Sequence, residues 1–224
     1  NENMFANHQH LDGGAFQIYY KGPLAIDSGA YEGAQGGYNS DHNKKYFKRT
    51  IAHNSLLLYY SSETFSPSSI GNDGGQRTPG ASWTSCNSYS ALLSDDYTYG
   101  STLAHGFGPS NITPEYSYLK GDITKAYKSD KAGEVLRSFV FFNTSDATIP
   151  GVLIVRDRIT VKKVRNSIFS TVTPEKYWLL HSVQEPVISG STFDIVREGN
   201  DLANSGEQFN GKLHCDVLTN ATIS

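Results

Sequence analysis

Hydrophobic and polar residues alternate near the start of the chain with the period of two that is typical of β-strands. Phe16, Ile18 and Tyr20 would face one side of an extended segment, and the residues between them would face the other. The run Leu24 to Asp27 is a second candidate strand, and Lys21-Gly22-Pro23 between the two runs carries a Gly-Pro turn signal. This pattern predicts a β-hairpin.

Further short apolar runs recur along the rest of the chain, separated by clusters of Gly, Pro, Asn, Asp and Ser. None of them has the length and the 3.6-residue period of a long amphipathic helix. Repeated short strands with such turns predict an all-β fold, a large antiparallel two-sheet β-sandwich. The candidate strands after the first hairpin are Thr50 to Tyr60, Tyr89 to Leu93, Tyr97 to Ala104, Tyr116 to Tyr127, Val135 to Phe142, Val152 to Val161, Tyr177 to Val183, Thr192 to Val196 and Leu213 to Leu218.

Two polar segments are longer than ordinary connections between strands. Glu32 to Asn43 is rich in glycine, and Ser61 to Ser88 is rich in Ser, Gly, Pro and Asn. Loops of this length in a compact domain are often functional, and we expect the second to be a flap or a surface excursion. No internal repeat divides the chain, so residues 1–224 are assigned to one β-sandwich domain.

Composition narrows the function classes. The 224 residues include 14 tyrosines, 11 phenylalanines and 21 glycines, which favours strands and turns. A net charge of -3 gives no sign of a nucleic-acid binder, and no apolar run is long enough to span a membrane. Two distant cysteines, Cys86 and Cys215, fit neither a disulfide framework nor a cysteine metal site, and whether they pair stays open.

The two ends of the chain suggest a larger protein. The sequence begins at Asn1 without an initiator methionine, contains no signal peptide and ends at Ser224 without a clear stop. We therefore expect a fragment, or a processed part of a longer polypeptide.

The segment before the first predicted strand carries the most distinctive polar residues. His8, His10 and Asp12 stand two apart, so they would leave one face together if this segment is extended. Pairing of the hairpin about Gly22 would bring Asp27 near Gln17, on the polar face close to these histidines. A solvated loop that happens to hold two histidines is the simpler interpretation.

Three side chains could converge on a metal ion: His10, Asp27 and His53. Two imidazoles and one carboxylate suit zinc, with water or another group as the fourth ligand, whereas calcium and magnesium prefer oxygen ligands. The spacing is long and irregular, so the strand-face argument carries this prediction. The competing interpretation of His53, which precedes an apolar run, is a hydrogen-bonded core histidine.

Two further residues could transfer protons beside such a metal. His8 would lie next to the ion without binding it, and a histidine titrates near neutral pH, so it could act as a general base or acid. Tyr31 could be a second proton-transfer group, although it could equally be one more aromatic residue among 14 tyrosines.

A local basic cluster contrasts with the acidic chain. Lys44, Lys45, Lys48 and Arg49 lie close together in sequence, between the Asp27 strand and His53. They could contact an anionic substrate, and the simpler account is a solvated basic turn.

These residues carry a resemblance to the heparinase II/III family of polysaccharide lyases. The first sixty residues are the most specific part, and the similarity extends to about Ile188. The motifs that resemble the family are Asn7-His8-Gln9-His10 with Asp12, Gly14 to Asp27, Lys48 to Leu57, Asn72 to Arg77, Tyr118 to Thr124 and Trp178 to Ser182.

The resemblance implies a reaction and a set of roles. Enzymes of this family eliminate across the C4–C5 bond of a uronic acid in a polysaccharide. By this resemblance His8 and Tyr31 are catalytic, His10, Asp27 and His53 bind a zinc ion that organises the site, and the substrate is of the heparin or heparan sulfate type. The basic residues assigned to substrate binding are Lys44, Lys48 and Arg49.

The resemblance also implies neighbours and a location. In these enzymes a helical toroid precedes the sandwich and carries the main catalytic tyrosine, and a further β domain follows, so the isolated chain is expected to show little turnover. It implies a bacterial periplasmic or secreted protein with an acidic polysaccharide as partner, no nucleic acid and no membrane, and it is compatible with a homodimer.

Other functions are compatible with the same residues. One is a non-catalytic carbohydrate-binding or structural sandwich that keeps the metal site. Another is a lyase for a different uronate polymer such as alginate. A zinc hydrolase is disfavoured, because the chain has neither a His-Glu-x-x-His motif nor a clear general-base glutamate beside the ligands.

Overall fold

The structure is a computed structural model and describes residues 9–29, 37, 40–66, 68–78, 88–165, 170–200, 206 and 208–224. Thirteen strands occur in these residues, and every strand pair is antiparallel. The predicted all-β, antiparallel sandwich class is confirmed. Within the described ranges, no helix has the length and apolar character needed to cross a membrane.

The strands are numbered in chain order. They are β1 (Ile18–Tyr19), β2 (Pro23–Ala25), β3 (Leu56–Tyr59), β4 (Ser101–Gly108), β5 (Tyr116–Asp122), β6 (Ala132–Asn143), β7 (Gly151–Val161), β8 (Val164–Arg165), β9 (Thr171–Val172), β10 (Glu175–Trp178), β11 (Val187–Ser189), β12 (Thr192–Asn200) and β13 (Gln208–Asp216). The helical segments are short: a π-helical turn at Asn43–Phe47, 3-10 turns at Thr50–Ala52, Ser68–Ile70 and Thr124–Ala126, and one α-helical turn, α1, at Tyr89–Leu92.

Strands β4 to β7 form the largest sheet, in which each strand pairs with the next one along the chain. The two-residue period decides which side chains turn toward the interior: on β7, Leu153, Val155, Asp157 and Ile159 are half-buried, whereas Ile154, Arg156 and Arg158 are exposed. Val135 of β6 is fully buried and belongs to the same apolar cluster as Leu58 of β3. The main core therefore lies between β3 and the large sheet.

A second apolar cluster joins the first hairpin to the C-terminal sheet, β11-β12-β13. Leu24 of β2 packs with Phe193 and Ile195 of β12, and all three are buried. A Cβ at Gly211 of β13 would lie 2.2 Å from the carbonyl oxygen of Tyr20, so glycine permits this close approach. The hairpin that leads to Asp27 is thus fixed against a regular sheet.

The first hairpin is confirmed, but its register differs from the predicted one. The ladder pairs Ile18 with Ala25, and the register shifts between Ile18 and Tyr19. Strand β1 begins two residues later than predicted, because the Phe16 carbonyl accepts a hydrogen bond from the Asn54 side chain at 2.8 Å. A side chain therefore takes the place of a strand partner at this point.

The predicted strand from Tyr89 to Leu93 is wrong. Tyr89–Leu92 forms the single helical turn α1, because the Ser88 hydroxyl accepts a hydrogen bond from the Ala91 N–H and caps that turn. Tyr89 and Leu93 are exposed, so their apolar side chains do not contribute to a sheet core. The apolar spacing of this short run does not distinguish a strand from a helical turn.

Candidate metal centre

His53 is positioned by a tight turn before β3, not by a strand that begins at Thr50 as predicted. Thr50–Ala52 forms one 3-10 turn, and the His53 N–H donates to the Thr50 carbonyl at 3.0 Å. Strand β3 then starts at Leu56 and enters the main core. The turn leaves His53 only 2% exposed while its side chain lines a cleft.

Asp27 is positioned by the turn that follows β2. Its Oδ1 accepts a hydrogen bond from the Gly29 N–H at 3.0 Å, which fixes the carboxylate over its own backbone. A Cβ at Gly29 would lie 2.7 Å from the Phe47 carbonyl oxygen, so this turn requires glycine. The Ser28 N–H donates to the Ala52 carbonyl at 3.0 Å, which joins this turn to the one that carries His53.

His10 lies in irregular backbone before β1 and is half-buried. The next residue, Leu11, is 1% exposed, and its N–H donates to the Lys48 carbonyl at 2.8 Å. The Thr50 hydroxyl donates to the Leu11 carbonyl at 2.8 Å. The His10 ring meets the edge of Phe47 at a centroid distance of 4.7 Å, so both backbone and ring are held.

The three side chains predicted to bind a metal come together in space. Oδ1 of Asp27 lies 3.1 Å from Nδ1 of His53, and Oδ2 lies 3.9 Å from Nδ1 of His10. The two imidazole centroids are 5.1 Å apart, and one donor atom from each residue lies within 4.8 Å of the others. This convergence supports the predicted residue set.

The donor set fits zinc. Two nitrogen donors and one carboxylate oxygen make a three-ligand set that leaves a fourth position open. With zinc–ligand bonds of about 2.0–2.1 Å, two ligands of a tetrahedron lie roughly 3.3 Å apart, close to the Asp27–His53 separation. Nε2 of His53, the ring nitrogen other than the one beside Asp27, is buried without a hydrogen-bond partner among the described residues.

Charge states in the metal-free site favour cation binding. Burial lowers the pKa of His10 below its usual value, and the neighbouring His53 lowers it further, so the His10 imidazole is neutral at neutral pH. Burial alone would raise the pKa of Asp27, but hydrogen bonds from His53 and the Gly29 N–H outweigh it and hold the pKa below its ordinary value. The site therefore offers a neutral imidazole beside a carboxylate anion.

An open cleft of about 380 Å³ is lined by two of these residues, Asp27 and His53. Its wall includes the exposed carboxylate of Asp12, which the alternation argument had placed on the same face as the histidines. Phe16 adds an apolar surface and lies 6.0 Å, centroid to centroid, from Trp178 of β10. The cleft is lined by Asp12, Ala15, Phe16, Gln17, Asp27, His53 and Asn54.

Gln76 is a site residue that the pattern of polar residues did not single out. Its side-chain amide forms hydrogen bonds with both backbone polar groups of Gly13: Oε1 accepts from the N–H at 3.0 Å, and Nε2 donates to the carbonyl at 2.7 Å. Gln76 is fully buried, and its own N–H donates to the Thr50 hydroxyl at 2.8 Å. The sequence feature that could have indicated Gln76 is the motif Asn72 to Arg77, which resembles the family although its residues have no obvious chemical role.

Arg137 of β6 was also missed, because a charged residue within an apolar strand is ordinarily assigned to the exposed face. It is 1% exposed and forms a two-pronged ion pair with Asp157 of β7, at 2.7 and 2.8 Å. Its remaining nitrogen donates to the Gly14 carbonyl at 2.9 Å and to the Asn54 carbonyl at 3.1 Å. The large sheet is thereby connected to both histidine segments.

The two predicted proton-transfer residues, His8 and Tyr31, lie outside the described residues. His10 and Asp27, which stand two residues after His8 and four residues before Tyr31, both belong to the group of side chains that could hold a metal ion. The roles of His8 and Tyr31 therefore stay predictions.

The predicted substrate-binding cations differ in their surroundings. Lys44 lies on the π-helical turn and is half-exposed. Lys48 is 3% exposed, and Arg49 is fully buried and forms an ion pair with Asp73. Burial of these two side chains argues against direct substrate contact, because their charges are directed into the fold.

Comparison with protein families gives one result. A family model described as heparinase II/III-like, C-terminal, matches residues 2–209, which is most of the chain. No curated protein matches the chain. The family match includes all three candidate metal ligands and the segment that carries His8.

Proposed function

This chain belongs to the heparinase II/III-like family, and we propose that it is the β-sandwich domain of a polysaccharide lyase that acts on heparin- or heparan-sulfate-type glycosaminoglycans. Family membership relates the chain to polysaccharide lyases and implies a polysaccharide substrate. The elimination reaction, the sulfated substrate and the zinc ion are the proposed part.

One observation carries this proposal. His10, Asp27 and His53 are distant in sequence, belong to three different segments, and nevertheless converge within 4.8 Å, where Asp27 and His53 line an open cleft. A chain that had kept only the fold of a lyase would have no need to keep this donor set together. The convergence supports a site that still works on a ligand.

The proposed reaction is a β-elimination at a uronic acid. A base takes the weakly acidic C5 proton, the electron pair forms the C4–C5 double bond, and the C4–O bond breaks. The departing oxygen receives a proton, so one chain end leaves as an alcohol and the other becomes an unsaturated sugar. The uronate carboxylate must be neutralised or hydrogen-bonded while the C5 proton leaves.

We assign the proton transfers to His8 and Tyr31, from their resemblance to the family and their nearness in sequence to the ligands. His8 stands two residues before His10, and Tyr31 stands four residues after Asp27. An imidazole that titrates near neutral pH can take or return a proton, and a phenol can deliver one to the leaving oxygen.

His10, Asp27 and His53 would hold the zinc ion. When bound, the ion would supply a fixed positive charge that keeps the neighbouring segments in place. Elimination needs no metal-bound nucleophile, so the residues of the chain carry the proton transfers. Asp27 also helps to fix the backbone around the site. Its carboxylate accepts a hydrogen bond from the Gly29 N–H, and the Ser28 N–H joins the same turn to the one that carries His53.

Substrate attraction is assigned to Lys44, which is half-exposed, together with Lys45, which is exposed and whose ammonium group pairs with Asp41 at 2.8 Å. Sulfated uronates are polyanions, so binding should weaken as salt rises. Lys48 and Arg49 were assigned the same role from the sequence. Because both are buried, we propose instead that they stabilise the fold beside the site. A periplasmic or secreted location and a homodimer are also proposed from the resemblance.

The test is an elimination assay on the natural polypeptide that contains this chain, with ultraviolet absorbance of the new C4–C5 double bond as the readout. Heparan sulfate should be cleaved, and alginate, the alternative uronate polymer, should serve as the comparison. His8→Ala should lower turnover by about a hundred- to ten-thousand-fold with zinc content unchanged, whereas His10→Ala should lose zinc first. Absence of cleavage with either polymer would favour a non-catalytic carbohydrate-binding domain.

A further inference from the structure

Asn54 is a buried residue that immediately follows His53 and uses its whole side-chain amide in hydrogen bonds. Nδ2 donates to the Phe16 carbonyl at 2.8 Å and to the Ile26 carbonyl at 3.0 Å. Oδ1 accepts from the main-chain N–H of His181 at 2.6 Å. Asn54 is 1% exposed, so water does not compete for these bonds.

The bonds of Asn54 end on the segments that carry the candidate ligands. Ile26 directly precedes Asp27, and Phe16 ends the irregular segment that begins with His10. The Ile26 N–H donates in turn to the His181 carbonyl at 3.0 Å, so His181 bridges Asn54 and the Asp27 segment. A single side chain thus joins the His10, Asp27 and His53 segments.

Strands and helices do little to hold the ligand-bearing segments near the cleft. Strand β1 has two residues and β2 has three, and the ladder between them includes none of the candidate ligands. Residues 10–17, 26–29 and 53–55 lie outside strands and helices. Outside the ladders, isolated backbone bonds such as that from the Ser28 N–H to the Ala52 carbonyl, together with side chains that bond across segments, set the relative positions of the candidate ligands.

We infer that Asn54 is a positioning residue for the metal site, a role that rests on the proposed zinc centre. It is not itself a ligand, because both polar atoms of its amide are engaged by the backbone. By fixing three segments before the ion arrives, it lowers the conformational cost of bringing two imidazoles and a carboxylate onto one cation. The loss of such an outer contact typically weakens metal binding by about 10- to 100-fold.

The experiment measures zinc affinity and metal-free stability separately, in the natural polypeptide. Asn54→Leu keeps the side-chain size without its hydrogen bonds or a new charge. Asn54→Ser leaves room for water at the two carbonyls, and serves if the leucine variant fails to fold. Competition with a chromophoric chelator gives the zinc dissociation constant of folded protein, and urea unfolding in the presence of a chelator gives the stability. The visible spectrum of the cobalt-substituted protein reports ligand geometry.

Tyr60→Phe is the matched control, because its side chain is also buried and its hydroxyl donates to the Asp130 carboxylate at 3.1 Å, away from the ligand segments. We expect the Asn54 variants to bind zinc about 10- to 100-fold more weakly, with an altered cobalt spectrum. The control should lose stability while its zinc affinity stays within twofold of wild type.

Wild-type zinc affinity and cobalt spectrum in both Asn54 variants would overturn the positioning role and leave the zinc site standing. Absence of zinc binding in wild type would instead remove the premise, and the inference with it. An equal loss of zinc affinity in the Tyr60 control would also overturn it, since general loosening of the fold would then explain the effect.

Discussion

Two regions of this molecule are held together in different ways. The β12–β13 hairpin has a continuous ladder in which nine residues of Thr192–Asn200 pair with nine of Gln208–Asp216. The region around the cleft has only the two- and three-residue strands β1 and β2, and its backbone is bonded by buried side chains from distant segments. Gln76, Asn54 and Arg137 provide these bonds.

The difference teaches where function constrains sequence. A ladder uses backbone groups that every residue except proline has, so most substitutions on its exposed faces leave it intact. A network of buried side chains depends on particular residues, and removal of one leaves buried groups unsatisfied. The cleft should therefore be sensitive to single substitutions that the hairpin would tolerate.

The largest effect is expected for Arg137→Met. The substitution leaves the carboxylate of Asp157 without its buried partner and frees the carbonyls of Gly14 and Asn54. Breaking a buried ion pair from one side costs about 3–5 kcal/mol of unfolding free energy, which urea denaturation would measure. The double variant Arg137→Met with Asp157→Leu should recover part of the loss. A loss below about 1 kcal/mol for the single variant would contradict the comparison.

A smaller loss is expected for Gln76→Met, which keeps the volume but removes both bonds to Gly13. The Gly13 N–H would lose its partner and the Gly13 carbonyl would keep only the bond from the Ser55 hydroxyl at 3.1 Å, at a cost of about 1–3 kcal/mol. Urea denaturation measures this loss. Gln76→Glu keeps only the acceptor, so its unfolding free energy should lie between those of wild type and Gln76→Met. It should lie below both if the glutamate stays charged while buried. An unchanged urea midpoint in Gln76→Met would show that the two hydrogen bonds between Gln76 and Gly13 are dispensable for stability.

The thiol of Cys215 on β13 reports whether the hairpin stays packed. Burial, with smaller contributions from the carboxylates of Asp194 and Asp216, raises the pKa of Cys215 to about 11. The reactive thiolate is therefore about a hundredfold scarcer at pH 8 than for an ordinary thiol, and labelling in a Cys86→Ser background should be slower by a similar factor. The rate should rise with pH up to about pH 11. Labelling as fast as in urea would mean that this hairpin is open.

The smallest effect is expected for Lys212→Ala on the hairpin. Its ammonium group pairs with Asp194 at 2.8 Å, but both side chains are substantially exposed. Exposed ion pairs contribute little because water and salt screen them. The urea midpoint should not change measurably, and a shift as large as that of Gln76→Met would remove the contrast between the two regions.

The sequence was sufficient for the fold class and for naming a His-Asp-His group that could bind a metal. Period-two alternation placed the strands β5 to β7 to within a few residues, except that β5 ends at Asp122 rather than continuing to Tyr127. His10, Asp27 and His53 were found by their donor chemistry and by the hairpin argument. The predicted hairpin placed Asp27 close to the histidine segment, and Asp27 does lie 3.9 Å from His10, although the register of the hairpin differs from the predicted one.

The buried polar network could not be predicted from the same pattern. Alternation assigns polar residues to the surface, whereas Gln76, Arg137 and Arg49 are all buried. Each is stabilised by a partner far along the chain, such as Asp157 or the Gly13 peptide. Sequence spacing carries no information about such contacts, and for the same reason it could not show that Arg49 is buried in an ion pair with Asp73.

Zinc titration of the metal-free natural polypeptide, in wild type and in His53→Ala, tests the central claim most directly. The account predicts one zinc ion per chain in wild type, a higher unfolding temperature when zinc is bound, and loss of both in His53→Ala. Elemental analysis of the dialysed protein gives the stoichiometry, and thermal unfolding gives the coupling to stability. A wild-type protein that binds no zinc, or a His53→Ala variant that binds it equally well, would contradict the assignment of His10, Asp27 and His53 as a metal centre.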